Sequence, residues 1–314
     1  MRSVAILYNP RSGSASSRRR AEVERAAAVF RNAGMRVEAQ PTAGARRAGE
    51  QARQFIAAGF DTIVASGGDG TIHDVLQGMV GSGAALGVLP LGTANSLAAD
   101  LKLDGDPATA AAQLLAAELK NIAVGKIQYG DRPDYRYFTV AAGVGVDAAL
   151  FYRMNAEFKR RWGMTAYVYE SVRQWIVQKY HPFEVEWIDS DRREPRRDVA
   201  TQVLVVRIAD FGGVLNRLAP GADLLNDQLR LVLFKTASRV RYLRFAIGCL
   251  VGRNWTDPYI ELVNAVEVKC RPHDNGDRVP PIIHCEADGE LLGRLPAHIT
   301  IIPEALNLLI PPKR

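Results

Sequence analysis

The first 119 residues alternate short aliphatic runs with alanine-rich stretches that end on glycine, and this rhythm leaves few ways for them to fold. Val4 to Tyr8, Met35 to Ala39, Asp61 to Ala65 and Leu86 to Leu89 have the length and apolar content of buried strands. Arg18 to Ala33 and Ala45 to Ala58 read as helices stopped by Gly34 and Gly59. Further helices are expected over Thr71 to Met79, Ala94 to Leu101 and Pro107 to Leu119. Strand and helix in strict alternation predict a parallel sheet, because parallel neighbours can be joined only by a crossover. The expectation is a Rossmann-like α/β nucleotide-binding domain over residues 1–121. Beyond it the period shortens to two, as in Phe183 to Trp187, Thr201 to Ile208, Leu229 to Phe234 and His298 to Ile302. That change predicts an antiparallel β-sandwich domain over 122–314, with basic helical insertions and its last residues free to return to the first domain.

Three turns follow the expected parallel strands: Asn9-Pro10-Arg11-Ser12-Gly13, Ser66-Gly67-Gly68-Asp69-Gly70-Thr71 and Pro90-Leu91-Gly92-Thr93-Ala94-Asn95. All should emerge at the carboxyl edge of the sheet, where open α/β folds bind ligands, and so converge on one molecule. Gly67, Gly68 and Gly70 permit positive φ and bring N–H groups close to an anion, and the helix that follows adds its positive end. Thr71 and Asp74 have the spacing of a capping box, which would start that helix at the turn. Asp69 puts a carboxylate where a phosphate is expected. It makes sense if it holds Mg²⁺, or a water on that ion, which neutralises the phosphates. Glycine turns after strands are common in α/β proteins, so one alone decides little; three in register carry more weight. No Walker A pattern occurs. Gly143-Val144-Gly145-Val146-Asp147-Ala148 matches a dinucleotide fingerprint formally, but it lacks the surrounding βαβ unit.

At 314 residues and 47% apolar content the chain can bury a large core. Its three cysteines, Cys249, Cys270 and Cys285, are odd in number and widely spaced, which argues against a disulfide framework or a zinc site and fits a reducing cytosol. The run after Arg2 is too short for a signal peptide and reads as a strand. No apolar stretch reaches the roughly 20 residues needed to span a bilayer, so membrane contact would be peripheral, at the cytoplasmic face. The net charge of +6 suggests an anionic partner, and it is unevenly placed. Residues 151–181 hold Arg153, Lys159, Arg160, Arg161, Arg173 and Lys179 interleaved with Trp162, Tyr167, Tyr169, Trp175 and Tyr180. Residues 235–253 hold five basic residues and no acid, with Tyr242, Phe245, Ile247 and Leu250 among them. Both suit an anionic membrane surface; a solvated charged face over a core lid is the alternative. No recognition-helix or RNA-binding pattern points to nucleic acid.

The three turns in this order, with Leu89 to Asn95 as the third, resemble the diacylglycerol kinase catalytic-domain superfamily, which includes bacterial lipid kinases, sphingosine kinases and ceramide kinases. Glu286-Ala287-Asp288-Gly289-Glu290, followed by Leu295-Pro296-Ala297 and Pro303, is similar to that family's closing segment. The resemblance implies a kinase that moves the γ-phosphate of ATP to a lipid hydroxyl, with ATP and Mg²⁺ between the two domains. It implies nucleotide contacts from Asn9, Ser12, Gly13, Thr42, Gly67, Gly68, Asp69, Gly70, Thr71, His73, Gly92, Thr93 and Asn95, with Asp69 organising Mg-ATP and Glu290 accepting the proton. Without the family, Asp288-Gly289-Glu290 is a hairpin turn and His73 a polar helix-start residue. The family likeness also implies a structural Mg²⁺ held by the Asp227 carboxylate and the Leu224 and Leu229 carbonyls. Gln228 follows Asp227 where glycine is usual, Arg230 and Ala123 replace acids, and Ser96 follows Asn95. The expected partners are a lipid substrate and the inner membrane surface, and a homodimer is compatible with the sequence. The alternatives are an NAD kinase-like enzyme and a nucleotide- or lipid-binding protein without turnover.

Overall fold

The computed structural model describes residues 1–12, 18–92, 95–131, 134–145, 179–212, 218–252, 257–273 and 281–312. Gly13, Thr93, Arg253 and the basic aromatic stretch up to residue 178 therefore lie outside the described residues. The N-terminal elements are β1 (Ser3–Tyr8), α1 (Arg19–Asn32), β2 (Arg36–Pro41), α2 (Ala48–Ala57), β3 (Thr62–Gly67), α3 (Asp69–Met79), β4 (Ala85–Pro90), α4 (Ser96–Asp100) and α5 (Pro107–Leu115). The four strands pair in parallel in the order β4-β3-β1-β2. Both faces are covered, which is why these strands read as unbroken apolar runs. Ala5, Leu7, Ile63 and Ala65 face α2 and α3. Val4, Ile6 and Val64 face α1 and α5.

Sequence and structure part company at the end of α5. The helix begins as expected: Pro107 stands in its first turn, and the Asp106 carboxylate accepts the N–H groups of Ala108 and Thr109. It stops at Leu115 rather than Leu119, because residues from Glu118 onward form β5 (Glu118–Tyr129) and cross the boundary expected at residue 121. β5 pairs antiparallel with the last strand, matching Leu119 to Leu309 and Ile122 to Leu306, and this ladder overrides local helix preference.

The remaining elements are β6 (Tyr135–Phe138), β7 (Ala141–Gly145), β8 (Phe183–Asp189), β9 (Pro195–Ala200), β10 (Gln202–Val206), β11 (Leu229–Phe234), α6 (Arg239–Val251), β12 (Ile260–Pro272), β13 (His284–Ala287), β14 (Glu290–Arg294) and β15 (Ala297–Ile310). Neighbouring strands from β14 through β13, β7, β10, β11 and β12 to β15 pair antiparallel. β15 then continues beside β4, pairing Asn307 with Ala85 and Leu308 with Leu86 in parallel. The fold is an α/β parallel layer followed by an antiparallel β domain. Gly143 and Gly145 lie in β7, and a Cβ at Gly143 would stand 2.8 Å from the Glu286 carboxylate of β13. These glycines permit close strand pairing rather than dinucleotide binding.

Candidate functional site

A cleft of about 580 Å³ opens at the carboxyl edge of the parallel strands. Asn9, Ser12, Thr42, Gly68, Gly70, Thr71, His73 and Glu290, far apart in sequence, all line it. Gly67, Asp69, Gly92 and Asn95 stand behind this surface and shape its turns. The first turn is held from both sides. The Asn9 N–H donates to the Ser66 carbonyl at 3.0 Å, and the Asn9 side chain accepts the Arg11 N–H at 2.9 Å. Arg19, buried and paired with Glu22 at 2.6 Å, donates to the Ser12 carbonyl.

The glycines of the other two turns serve close approach. None of Gly67, Gly68 or Gly70 takes the positive φ expected from the sequence, and neither does Gly92. Instead, a Cβ at Gly67 would lie 2.4 Å from Thr71 Oγ1, and one at Gly92 would lie 2.3 Å from the Gly68 Cα. Real side chains do not tolerate such contacts, so glycine is required for the second and third turns to touch. Asn95 completes the third turn: it adopts φ +54°, accepts the Gly92 N–H at 3.0 Å and donates to the Gly92 carbonyl at 2.8 Å.

Asp69 spans the same two turns. Its carboxylate accepts the Ser96 N–H at 2.7 Å and the Ser96 hydroxyl at 3.3 Å. Burial pushes its acid upward from the ordinary range, the Ser96 N–H opposes that, and the charge of Asp288 adds to it. Ser96, a departure in sequence, is therefore the residue that holds Asp69. The expected capping box is not formed. α3 begins at Asp69, no side chain caps it, and the Asp74 carboxylate instead accepts the Ala48 N–H at 2.9 Å, in the first turn of α2. The Gly49–Gly78 approach of α2 to α3 brings that N–H within reach of Asp74.

The opposite wall comes from the β domain. Asp288 and Gly289 both take positive φ, +48° and +80°, as a two-residue hairpin between β13 and β14 demands. The hairpin reading and the family reading thus describe one object: the turn carries Glu290 to the second glycine turn. A Cβ on Gly70 would lie 2.7 Å from Glu290 Oε1. Asp288 is buried, accepts the N–H groups of Thr139, Val140 and Ala141 at 3.2, 2.9 and 3.1 Å, and lies 3.3 Å from Nδ1 of buried His73. His73 is thus a link between α3 and the hairpin as well as a wall of the cleft.

Three cations at the cleft are not among the expected site residues, although Arg11 lies within the first turn. Arg11, Arg46 and Arg136 line the cleft together with the glycine turns. Isolated arginines carry no periodic signal; only the pairing of β6 with β5 brings Arg136 across to the first domain. Three guanidinium groups beside backbone N–H donors make a site for a polyanion.

The structural metal expected in the β domain meets a different donor set. The Leu224 carbonyl accepts from Nη2 of Arg207 at 2.9 Å, and the same guanidinium takes the Gln228 carbonyl at 2.8 Å and the Asn226 carbonyl. Leu229 begins β11, opposite Ala265, in the ladder with β12. A divalent ion beside Leu224 and Asp227 would face a fixed cation, and the residues present do not fit it.

No described helix is long and apolar enough to cross a membrane. On α6 the expected interfacial aromatics turn inward: Tyr242 stacks on Phe234 with centroids 4.5 Å apart, and Phe245 meets the same ring edge-on at 5.0 Å. The outward ridge consists of Val240, Leu243, Ile247 and Val251, all exposed.

Comparison with known proteins agrees over nearly the whole chain. Residues 3–127 match the diacylglycerol kinase catalytic domain, and residues 139–310 match the YegS C-terminal NAD kinase beta sandwich-like domain. A diacylglycerol kinase of Bacillus subtilis (strain 168) is 26% identical over 317 residues, covering 100% of this chain and 98% of that protein. A diacylglycerol kinase of Mycobacterium tuberculosis (strain H37Rv) is 26% identical over 316 residues, covering 98% and 95%. The crystal structure of a diacylglycerol kinase from Bacillus anthracis str. Sterne shares the fold with a TM-score of 0.70 at 17% identity, covering 99% of this chain and 97% of that one. Two-domain matches in this order, over a site in which both domains meet, show that the chain belongs to the diacylglycerol kinase catalytic-domain family of ATP-dependent lipid kinases.

Proposed function

We propose that this protein transfers the γ-phosphate of ATP to the free hydroxyl of a diacylglycerol or a related lipid. The observation that carries this is the placement of Glu290 against Gly70: a carboxylate from one domain reaches the phosphate-binding turn of the other. The triphosphate lies along Asn9 to Ser12 and Gly67 to Thr71, with Arg11, Arg46 and Arg136 offsetting its charge. The lipid oxygen forms a bond to the γ-phosphorus, and the bond to the β,γ-bridging oxygen breaks. ADP leaves with that electron pair, and the hydroxyl proton passes to Glu290. Among the described residues no cluster of three His, Cys, Asp or Glu side chains could hold a metal ion alone. Mg²⁺ would arrive with ATP, whose phosphates supply most of its ligands; Asp69, at the start of α3 beside Gly70, would be its protein ligand. The ion supplies neutralisation of charge on the phosphates.

The lipid reaches the cleft from a membrane. α6 supports this: an exposed apolar ridge is combined with Arg239 and Arg244 and with no acid on the helix, Arg241 being paired with Asp257 at 2.6 Å, as suits a surface of anionic lipid at the inner face of the membrane. The deciding experiment incubates the protein with labelled ATP, Mg²⁺ and separate samples of diacylglycerol, ceramide, sphingosine and NAD. Label in phosphatidic acid is expected. Label in NAD would replace this function with that of an NAD kinase, and ATP binding with no labelled product would replace it with binding alone.

A further inference from the structure

The segment 220–230 contains a second feature that belongs to neither the cleft nor the membrane face. Its carbonyl groups converge inward on Arg207, whose side chain is fully buried. Nη2 donates to the Ala123 and Leu224 carbonyls at 2.8 and 2.9 Å. Nη1 donates to the Gln228 carbonyl at 2.8 Å and to the Asn226 carbonyl. All four Nη protons are thus used, two on each nitrogen, and each goes to backbone. Four acceptors from a loop and from β5, those of Ala123 and Leu224 buried and those of Asn226 and Gln228 half-buried, would otherwise face one another without a donor, a costly arrangement away from water.

We infer that the Arg207 guanidinium is the resident cation of this locus, supplying from within the chain the positive charge that a divalent ion would otherwise bring, so that the β domain is complete without metal. Carbonyl oxygens converging on one point are what a hard cation requires, and a planar fork of donors satisfies them equally well in one fixed geometry. A guanidinium is permanently charged at neutral pH, so the locus holds a positive charge without any ion from outside. Ala123 fits the same scheme. It presents only a carbonyl to the guanidinium, where the resembling family often carries an acid. Arg230 extends the pattern, donating to the Pro220 carbonyl at 2.8 Å and to the Asn264 side chain at 2.8 Å. Two arginines therefore hold a loop that the sequence likeness would have assigned to Mg²⁺.

The inference stands apart from the kinase reaction and is tested without turnover, on the nucleotide-free full-length protein. Mn²⁺ is titrated as a spectroscopic probe of divalent binding, and thermal unfolding is followed with and without EDTA. Wild type should show no Mn²⁺ site that depends on Asp227, and EDTA should leave its Tm unchanged. Arg207→Lys has three donors for four carbonyls and should lower the Tm by roughly 5 °C; Arg207→Ala should lower it further. If Arg207→Ala does not fold, the Lys variant and the wild-type titration decide. Stoichiometric Mn²⁺ binding abolished by Asp227→Asn would overturn the inference, and so would an Arg207→Lys protein with the wild-type Tm.

Discussion

The two halves of this molecule use loose backbone in opposite ways. At the carboxyl edge of the parallel sheet, close approach at Gly67 and Gly92 shapes turns whose Gly68 and Gly70 line an open cleft beside the donors of Arg11, Arg46 and Arg136. In the antiparallel half, the carbonyls of Ala123, Leu224, Asn226 and Gln228 come together around a guanidinium of the same chain. Converging donors await an anion from outside, whereas converging acceptors have been given their cation already. The difference lies in solvent access: an open cleft keeps its donors hydrated until a ligand arrives, while buried acceptors must be satisfied at folding. We therefore read one arrangement as a binding site and the other as structure, although each would read as an ion site from sequence spacing alone.

The largest expected effect breaks the link between the halves. Glu290→Gln should lower turnover by about 10²- to 10⁴-fold while ATP affinity stays near wild type, because the nucleotide is held by the turns of the other domain. Stopped turnover assays alongside equilibrium ATP binding check both numbers. Wild-type turnover would return Asp288-Gly289-Glu290 to the role of a simple hairpin.

Asp69→Asn should cost at least about tenfold in turnover, since in the proposed reaction Asp69 would hold the Mg²⁺ that arrives with ATP. Stability should move the other way. Burial raises the native acid of Asp69, so the native state takes up its proton before the unfolded state does. The ionised carboxylate consequently opposes folding at neutral pH, and this is relieved as pH falls through the raised native value. Asparagine keeps an oxygen for the Ser96 N–H and carries no charge. Its Tm should equal or exceed that of wild type at neutral pH, with the difference shrinking in acid; a lower neutral Tm would make Asp69 a structural clamp first.

How far the sequence could be read follows the same division. The parallel half was legible because its strands are covered on both faces, so composition alone outlines them, and glycine pins the turns. Leu229–Phe234, read as a strand of period two, is a strand, though it is buried along nearly its whole length. The end of α5 was misread because Glu118 to Leu119 is decided by a partner some 190 positions away, Leu309 to Ile310, and local preference knows nothing of it. Thr71 and Asp74 had the spacing of a cap, but Asp74 found the Ala48 N–H first, through helix packing. Arg207 carried no signal at all. An arginine in a strand-rich stretch looks like surface until the fold closes four carbonyls around it.

A smaller effect is expected outside both ion sites, on α6. Leu243→Gln together with Ile247→Gln removes half of the exposed ridge without touching Tyr242 or Phe245 on the core side. Binding to vesicles containing phosphatidylglycerol should weaken about tenfold, while activity on detergent-dispersed lipid stays close to wild type. Equal losses in both assays would give the ridge a structural role.

The smallest effect sharpens the contrast between open donors and filled acceptors most directly, because salt reaches only one of them. Arg46 and Arg136 face the cleft, where mobile ions can enter and the Debye length is about 8 Å at physiological ionic strength. The KM for ATP should rise about two- to threefold as salt is increased above that level. Arg136→Ala should raise KM at low salt and flatten the dependence, since part of the screened attraction has been removed. Arg207 lies where those ions cannot go, with its protons fixed on four carbonyls. The fall in Tm caused by Arg207→Lys should therefore be the same in low and high salt. A salt-dependent difference there would mean that solvent reaches the cage, and with it a metal ion. The separation between binding site and structure would then be one of degree.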